Sequence, residues 1–395
     1  MAASPGRIVA FVNIAHALDH YLLLIYPTAV IALAAQWQAD YPTLIGLATG
    51  TYVAFGLFAL PVGWIADRIG QRTLMAAFYL GCGAGCFGLA SAASETALAV
   101  WLLVLGLFTA IYHPVGSALL VANARSLGRT LGINGVWGNL GAAAAPGMTG
   151  LLVATFGWQA GFIVPGVVCV MTGIAFLALV PPEVRGKASA GAKSRPAAET
   201  VARPVLLAVL FMAAVVAGGF TFNMTSITMP KVIDERLDMT LPLVLTGSLT
   251  TIVLVFGAAA QLTMGRLVDR LPLPRLFAAL AVLQPVGLGL AALSTGLPML
   301  LGLVLATAAI FGQVVVNDAM VARYVPERLR SRAYGLRYFF GFTTSGFAVP
   351  MIAFLHDADG FPLVLGVAAL FGLVIFGSAL AFLACAGPRQ VQPAE

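Results

Sequence analysis

Gly63-Trp64-Ile65-Ala66-Asp67-Arg68-Ile69-Gly70-Gln71-Arg72 closes one long apolar run, and Gly265-Arg266-Leu267-Val268-Asp269-Arg270 closes another 202 residues later. In both stretches a glycine is followed at the fourth position by Asp-Arg. Further landmarks repeat at nearly the same offset. Arg129-Thr130-Leu131-Gly132 and Arg332-Ala333-Tyr334-Gly335 lie 203 residues apart, and Pro146 and Pro350 lie 204 apart. An offset that stays nearly constant over three landmarks marks a duplicated unit, here half a chain long.

What each unit is made of follows from composition. Of the 395 residues, 60% are hydrophobic and 9% charged, with a mean hydropathy of +0.97. A soluble domain carries about 25% charged residues, so this chain cannot clothe itself for water. Disorder is excluded by the same apolarity. Apolar runs long enough to cross a bilayer as helices fall at 8–34, 43–66, 73–93, 96–123, 131–156, 158–180, 205–229, 241–268, 273–294, 297–322, 333–354 and 361–386. The expected fold is therefore all-α, with twelve transmembrane helices in two pseudo-symmetric six-helix bundles. The bundles occupy residues 1–180 and 205–395, joined by a linker over 181–204 rich in Ala, Pro, Lys and Arg.

Eighteen of the 21 Lys and Arg fall on one side of this arrangement, Lys231, Arg236 and Arg337 being the exceptions. By the positive-inside rule both termini are then cytoplasmic. The first apolar run is long for a signal peptide and carries His16, Asp19 and His20, so a permanent helix is expected there rather than a cleaved leader. The net charge of +6 follows from the cytoplasmic loops and calls for no nucleic-acid partner. Cys82, Cys86, Cys169 and Cys385 all lie in apolar runs and read as small hydrophobes, not as disulfides or metal ligands. No metal and no cofactor is expected.

Twelve spans, two related halves and the Gly63–Arg72 loop together resemble the major facilitator superfamily. The resemblance implies halves packed about an axis along the membrane normal, with substrate bound between them. It also implies that Gly63, Asp67, Arg68, Gly70 and Arg72, with their repeat mates Gly265, Asp269 and Arg270, latch cytoplasmic helix ends in the outward-facing state. A narrower set is His16-Ala17-Leu18-Asp19, Tyr112-His113-Pro114-Val115-Gly116-Ser117 and Gly132-Ile133-Asn134-Gly135-Val136-Trp137-Gly138-Asn139-Leu140-Gly141. This set resembles the fosmidomycin-resistance-like branch, whose named members export an anionic phosphonate. Many proton antiporters of the superfamily carry a buried Arg early in span four, and Trp101–Ala110 here has none.

An ionisable group at the centre of a membrane helix costs roughly 2.5–3.5 kcal/mol on insertion scales, so the few present need a reason. Asn13, His16 and His20 stand at i, i+3 and i+7 on span one, with Asp19 beside them, and form one polar stripe. A carboxylate among imidazoles suits proton coupling or substrate binding; the plainer alternative is a static cluster pinning span one. His113 precedes Pro114, which frees the carbonyl of Ala110, and can act in the cavity or simply pack at the kink. Asn139 joins this first group. Asn317 and Asp318 fall near the repeat position of His113. Arg337 has three open roles: binding an anion, pairing with Asp318, or snorkelling to the interface. Tyr21, Tyr26, Asn134, Trp137, Asn223, Gln261, Gln284 and Gln313 are further cavity candidates among which the sequence does not choose.

The expected function is a secondary active transporter of the bacterial cytoplasmic membrane, a lipid-embedded monomer exporting a small organic molecule against protons. A proton symporter or facilitator for an organic anion keeps the same fold. An enzyme is disfavoured by the lack of any P-loop, HExxH or GxSxG motif, and a channel by the duplicated loop.

Overall fold

In a computed structural model, residues 5–124, 127–181, 203–325 and 327–385 are described. The linker at 182–202, with Arg185, Lys187, Lys193 and Arg195, lies outside the described residues, and of Asp67 only the backbone is described. Among the described residues all regular structure is helical. The amino-terminal half contains α1 (Pro5–Trp37), α2 (Tyr41–Gly46), α3 (Thr49–Ile69), α4 (Gln71–Ala90), α5 (Glu95–Thr109), α6 (Tyr112–Asn123), α7 (Leu127–Phe156) and α8 (Ala160–Leu179). The carboxy-terminal half contains α9 (Pro204–Arg236), α10 (Leu243–Leu267), α11 (Leu273–Leu293), α12 (Gly296–Tyr324) and α13 (Glu327–Cys385).

Among the described residues, eleven helical segments are long and apolar enough to cross a membrane. The last of them turns at Asp359 and Gly360, whose backbone leaves the helical region, so α13 consists of two limbs. The chain thus crosses twelve times. Two of the expected spans are each built from two helices: α2 with α3, and α5 with α6. Span seven runs seven residues past its expected end, to Arg236. Lys231 is therefore not in a loop: it pairs at 2.8 Å with Asp234, one turn on. Arg236 caps α11, donating to the carbonyls of Ala291, Ala292 and Ser294 at 2.8–2.9 Å, groups a helix end leaves without intrahelical partners.

The helices connect at two ends. At the linker end are the joints near Gly70, Leu127, Leu267 and Tyr324; at the far end are those near Gln38, Ser94, Asp238 and Gly360. Large apolar side chains such as Trp64, Phe156, Val205, Leu297 and Phe354 are more than 70% exposed, a surface only lipid tails can solvate. Two seams join the halves. In one, α7 meets α10: Thr251 accepts from the Gly147 amide at 3.0 Å, and a methyl group added at Gly150 would sit 2.7 Å from the Leu243 carbonyl oxygen. In the other, α2 and α3 meet α13, with the Tyr41 and His356 rings 5.1 Å apart and Gly346 against Val53. All these contacts lie from mid-helix toward the far end.

Candidate functional site

Pro114 cannot donate a backbone hydrogen bond, and the fourth span breaks at Ala110 and Ile111, as the freed Ala110 carbonyl leads one to expect. The break starts a new helix with Tyr112 and His113 in its first turn, against the polar stripe of α1. Asp19 is fully buried, and neither carboxylate oxygen accepts a hydrogen bond. One of them lies 3.4 Å from His113 Nε2. The His16 ring stands 4.8 Å from that of His20 and 5.6 Å from that of His113, and His20 and His113 are 5.8 Å apart. Phe55 of α3 packs edge-on against His113.

A second layer fixes this cluster. His16 Nδ1 is 2.7 Å from the main-chain carbonyl of Asn134 on α7. A carbonyl only accepts, so Nδ1 carries the hydrogen, and in the neutral ring Nε2 keeps its lone pair. The Asn134 side chain donates to Asn13 at 3.0 Å and accepts from the Tyr112 hydroxyl at 3.1 Å. Tyr112 in turn stacks on His16, ring centroids 4.8 Å apart. The approach of α7 depends on two glycines. A methyl at Gly138 would sit 2.5 Å from His16 Nε2, and one at Gly141 would run into the Ala17 carbonyl. The glycine-rich stretch of span five is thus explained by its contact with span one.

The structure brings Asp19, His16, His20, His113 and Asn13 together, and adds Asn134 and Tyr112, which the sequence did not separate from other polar residues. Asn139 is not part of the group: its amide donates at 2.7 Å to Gln261 of α10, across the halves. Arg337 is 7% exposed, is paired at 2.5 Å with Asp318 and donates to the Val314 carbonyl. Of its three open roles the pairing is the one observed. Asn317 ends a buried ladder in which the Thr221 hydroxyl donates to Gln284, Gln284 to Gln313, and Gln313 to Asn317, at 3.1–3.4 Å. Of the cavity candidates, Gln284 and Gln313 belong to this ladder, while Asn223 donates within its own helix, to the Gly219 carbonyl.

The duplicated loop has a different set of contacts. Gly70 links α3 to α4 at φ 92°, a conformation that favours glycine. Arg72 donates to the carbonyls of Leu177 and Val180, and Arg7 to that of Leu179, so both cap the end of α8 within one half. Cationic groups suit a helix carboxyl end. Arg68 is exposed. An added methyl at Gly63 or Gly265 would meet nothing within 4 Å.

Two six-helix bundles joined by small-residue seams, with an ionisable cluster between helices, define a polytopic membrane protein. The Major Facilitator Superfamily model matches residues 9–249 and 241–395, and the chain belongs to that superfamily. It is thus a multi-pass membrane transporter by family and not an enzyme. Among solved structures it is similar to a bacterial homolog of the human lysosomal transporter Spinster. The inward-facing, occupied form gives a TM-score of 0.79 at 14% identity, and the inward-facing, unoccupied form 0.72 at 15%, each covering 98% of this chain and 99% of that one. At such identities the likeness is one of fold. Over 178 residues the chain is 26% identical to the Multidrug resistance protein B homolog of Mycobacterium tuberculosis, in strains CDC 1551 / Oshkosh and ATCC 25618 / H37Rv. That stretch is 45% of this chain and spans 33% of the length of those relatives.

Proposed function

We propose that the protein exports a small organic compound in exchange for protons, by alternating access, with Asp19 and His113 as the coupling pair and His16, His20 and Asn13 around them. The observation that carries this reading is the asymmetry of the seams about a buried carboxylate. Toward the far end, Gly147, Gly150, Gly247 and Gly346 are filled by the opposite half. Toward the linker end, Gly63, Gly132, Gly135, Gly265 and Gly341, on the same seam helices, face open space. Small residues let helix backbones approach closely, so these unfilled faces suit a second state in which the linker end closes. Gly63 and Gly265 then act as part of the latch together with Asp67, Arg68, Gly70, Arg72, Asp269 and Arg270. With both termini cytoplasmic, this arrangement is the inward-facing state, as in the Spinster homolog forms. Residues 1–180 and 205–395 are the moving bodies of a monomer in a bacterial cytoplasmic membrane.

Export is supported by the similarity to a multidrug resistance protein homolog and by the occupied state of Arg337. A guanidinium already paired with Asp318 is poorly placed to draw in an organic anion, which places the symporter reading second. The test is the purified protein in liposomes with an imposed pH gradient and an internal pH dye. Phosphonates, carboxylic acids, lipophilic cations and neutral amphiphiles are added in turn. One class should collapse the gradient with saturation; collapse that rises linearly with concentration, without saturation, would point to a channel instead.

A further inference from the structure

The chain contains four histidines, and three of them meet at one point. His16, His20 and His113 each offer a ring nitrogen, and these atoms all lie within 4.8 Å of one another. We infer that His16, His20, His113 and Asp19 form a binding site for a borderline divalent transition-metal ion of the Zn2+ class. The absence of any metal site expected from the sequence is revised accordingly, because the three imidazoles come from two spans and converge only in the fold.

Several features of the site argue for it. Imidazole nitrogen with one carboxylate oxygen is a donor set that suits Zn2+ rather than Mg2+ or Ca2+. Zinc–nitrogen bonds of about 2.0–2.1 Å place tetrahedral donors roughly 3.4 Å apart. The Asp19 oxygen and His113 Nε2 already stand at 3.4 Å; the three ring nitrogens, within 4.8 Å of one another, need to close by about 1 Å or somewhat more, and Asp19 reaches the ion from beside His113. The Asp19 oxygens, fully buried, accept no hydrogen bond from the protein and so have lone pairs for a cation. His16 is held as a metal-ligating histidine usually is, its Nδ1–H on a main-chain carbonyl and its Nε2 bare. Gly138 adds no side chain beside that nitrogen. The three histidine residues are each partly exposed, although His113 Nε2 itself is buried beside Asp19. Cys82, Cys86 and Cys169 are buried and do not fall within this group of ligand atoms.

The test uses the full chain, without a polyhistidine tag, in lipid nanodiscs, titrated with Zn2+ and with Co2+ as a spectroscopic stand-in. One equivalent should bind, with the visible bands of tetrahedral Co2+. X-ray absorption at the zinc edge of the wild-type protein should find three imidazoles, a readout that depends on no variant folding. His113→Ala should weaken binding by about 100-fold or more, since even loss of an outer partner costs about 10–100-fold. His356→Ala, which alters the fourth histidine at the far end, should leave the affinity unchanged. No binding at millimolar Zn2+, two or fewer imidazoles around the bound ion, or a larger loss in His356→Ala than in His113→Ala would each overturn the inference.

Discussion

The two halves repeat one scaffold but put different chemistry at matching positions. Advancing 204 residues from His16, Asp19 and His20 of α1 leads to Phe220, Asn223 and Met224 of α9. Where His16 stacks on Tyr112, Phe220 stacks on Phe371, centroids 4.5 Å apart. Asn134, hub of the amino-terminal network, has Arg337 as its mate 203 residues on. The first half thus gathers one acid and three imidazoles. The second gathers neutral amides in a closed ladder and an ion pair that neutralises itself. The helices and seams recur in both halves, while the carboxylate with three imidazoles stands in the first alone among the described residues. On the proposed reading, the coupling element lies in the first half and the second supplies a polar wall.

The largest effect that tests this contrast is on Asp19. Asp19→Asn should bring proton-driven flux down to the level of protein-free vesicles, whereas Asn223→Ala, at the matching position, should keep most of it. Equal losses in both would break the comparison. Next in size is the ion pair of the second half. Asp318 is 39% exposed and Arg337 8% by side chain, so the pair lies between exposed and buried cases. Arg337→Ala should cost about 2 kcal/mol, between the roughly 1 kcal/mol of a surface pair and the 3–5 kcal/mol of breaking a buried one. Arg337→Lys should lose part of this through the hydrogen bond to Val314, and unchanged thermal unfolding of the Lys variant would restore the snorkelling role.

Smaller again is the glycine contrast along α7. Gly141→Ala should lower stability by about 1–3 kcal/mol as overpacking against Ala17, while Gly132→Ala, facing open space, should not. Thermal midpoints in the same detergent measure both. The smallest effect is at the far end. Asp40 caps α2 by accepting from the Thr43 amide at 2.8 Å, whereas α10 starts at Pro242 with no side-chain cap. The Thr43 amide holds the Asp40 carboxyl below its usual pKa. Its contribution is therefore full above the ordinary aspartate value and is lost as the pH falls below about 4. Asp40→Asn should remove that acid-side loss while leaving stability at neutral pH nearly intact, as read from unfolding followed against pH.

The scaffold was legible in the sequence because membrane helices declare themselves by length and apolarity, and the repeat by fixed offsets. Helix ends were not: span seven continues through Lys231 and Arg236 because each charge finds a partner there, Asp234 for one and the end of α11 for the other. Asn13, His16, Asp19 and His20 could be grouped because one helical face carries them all, and the Pro114 kink could be predicted from the ring alone. Tyr112 and Asn134 stood out less, since their roles arise only when α6 and α7 meet α1. Asn139, one residue from Gly138, is expected in the histidine group, yet its side chain donates to Gln261 of α10. That three imidazoles from two spans share one point is a property of the packing, which no spacing in the chain announces.

The proposed coupling role of the amino-terminal cluster is tested most directly by one pair of assays on Asp19→Asn in liposomes. The first follows substrate-driven proton movement with the internal dye; the second follows exchange of labelled substrate across the membrane with no gradient. Proton movement should vanish while exchange persists. Undiminished proton movement in the variant would contradict the account.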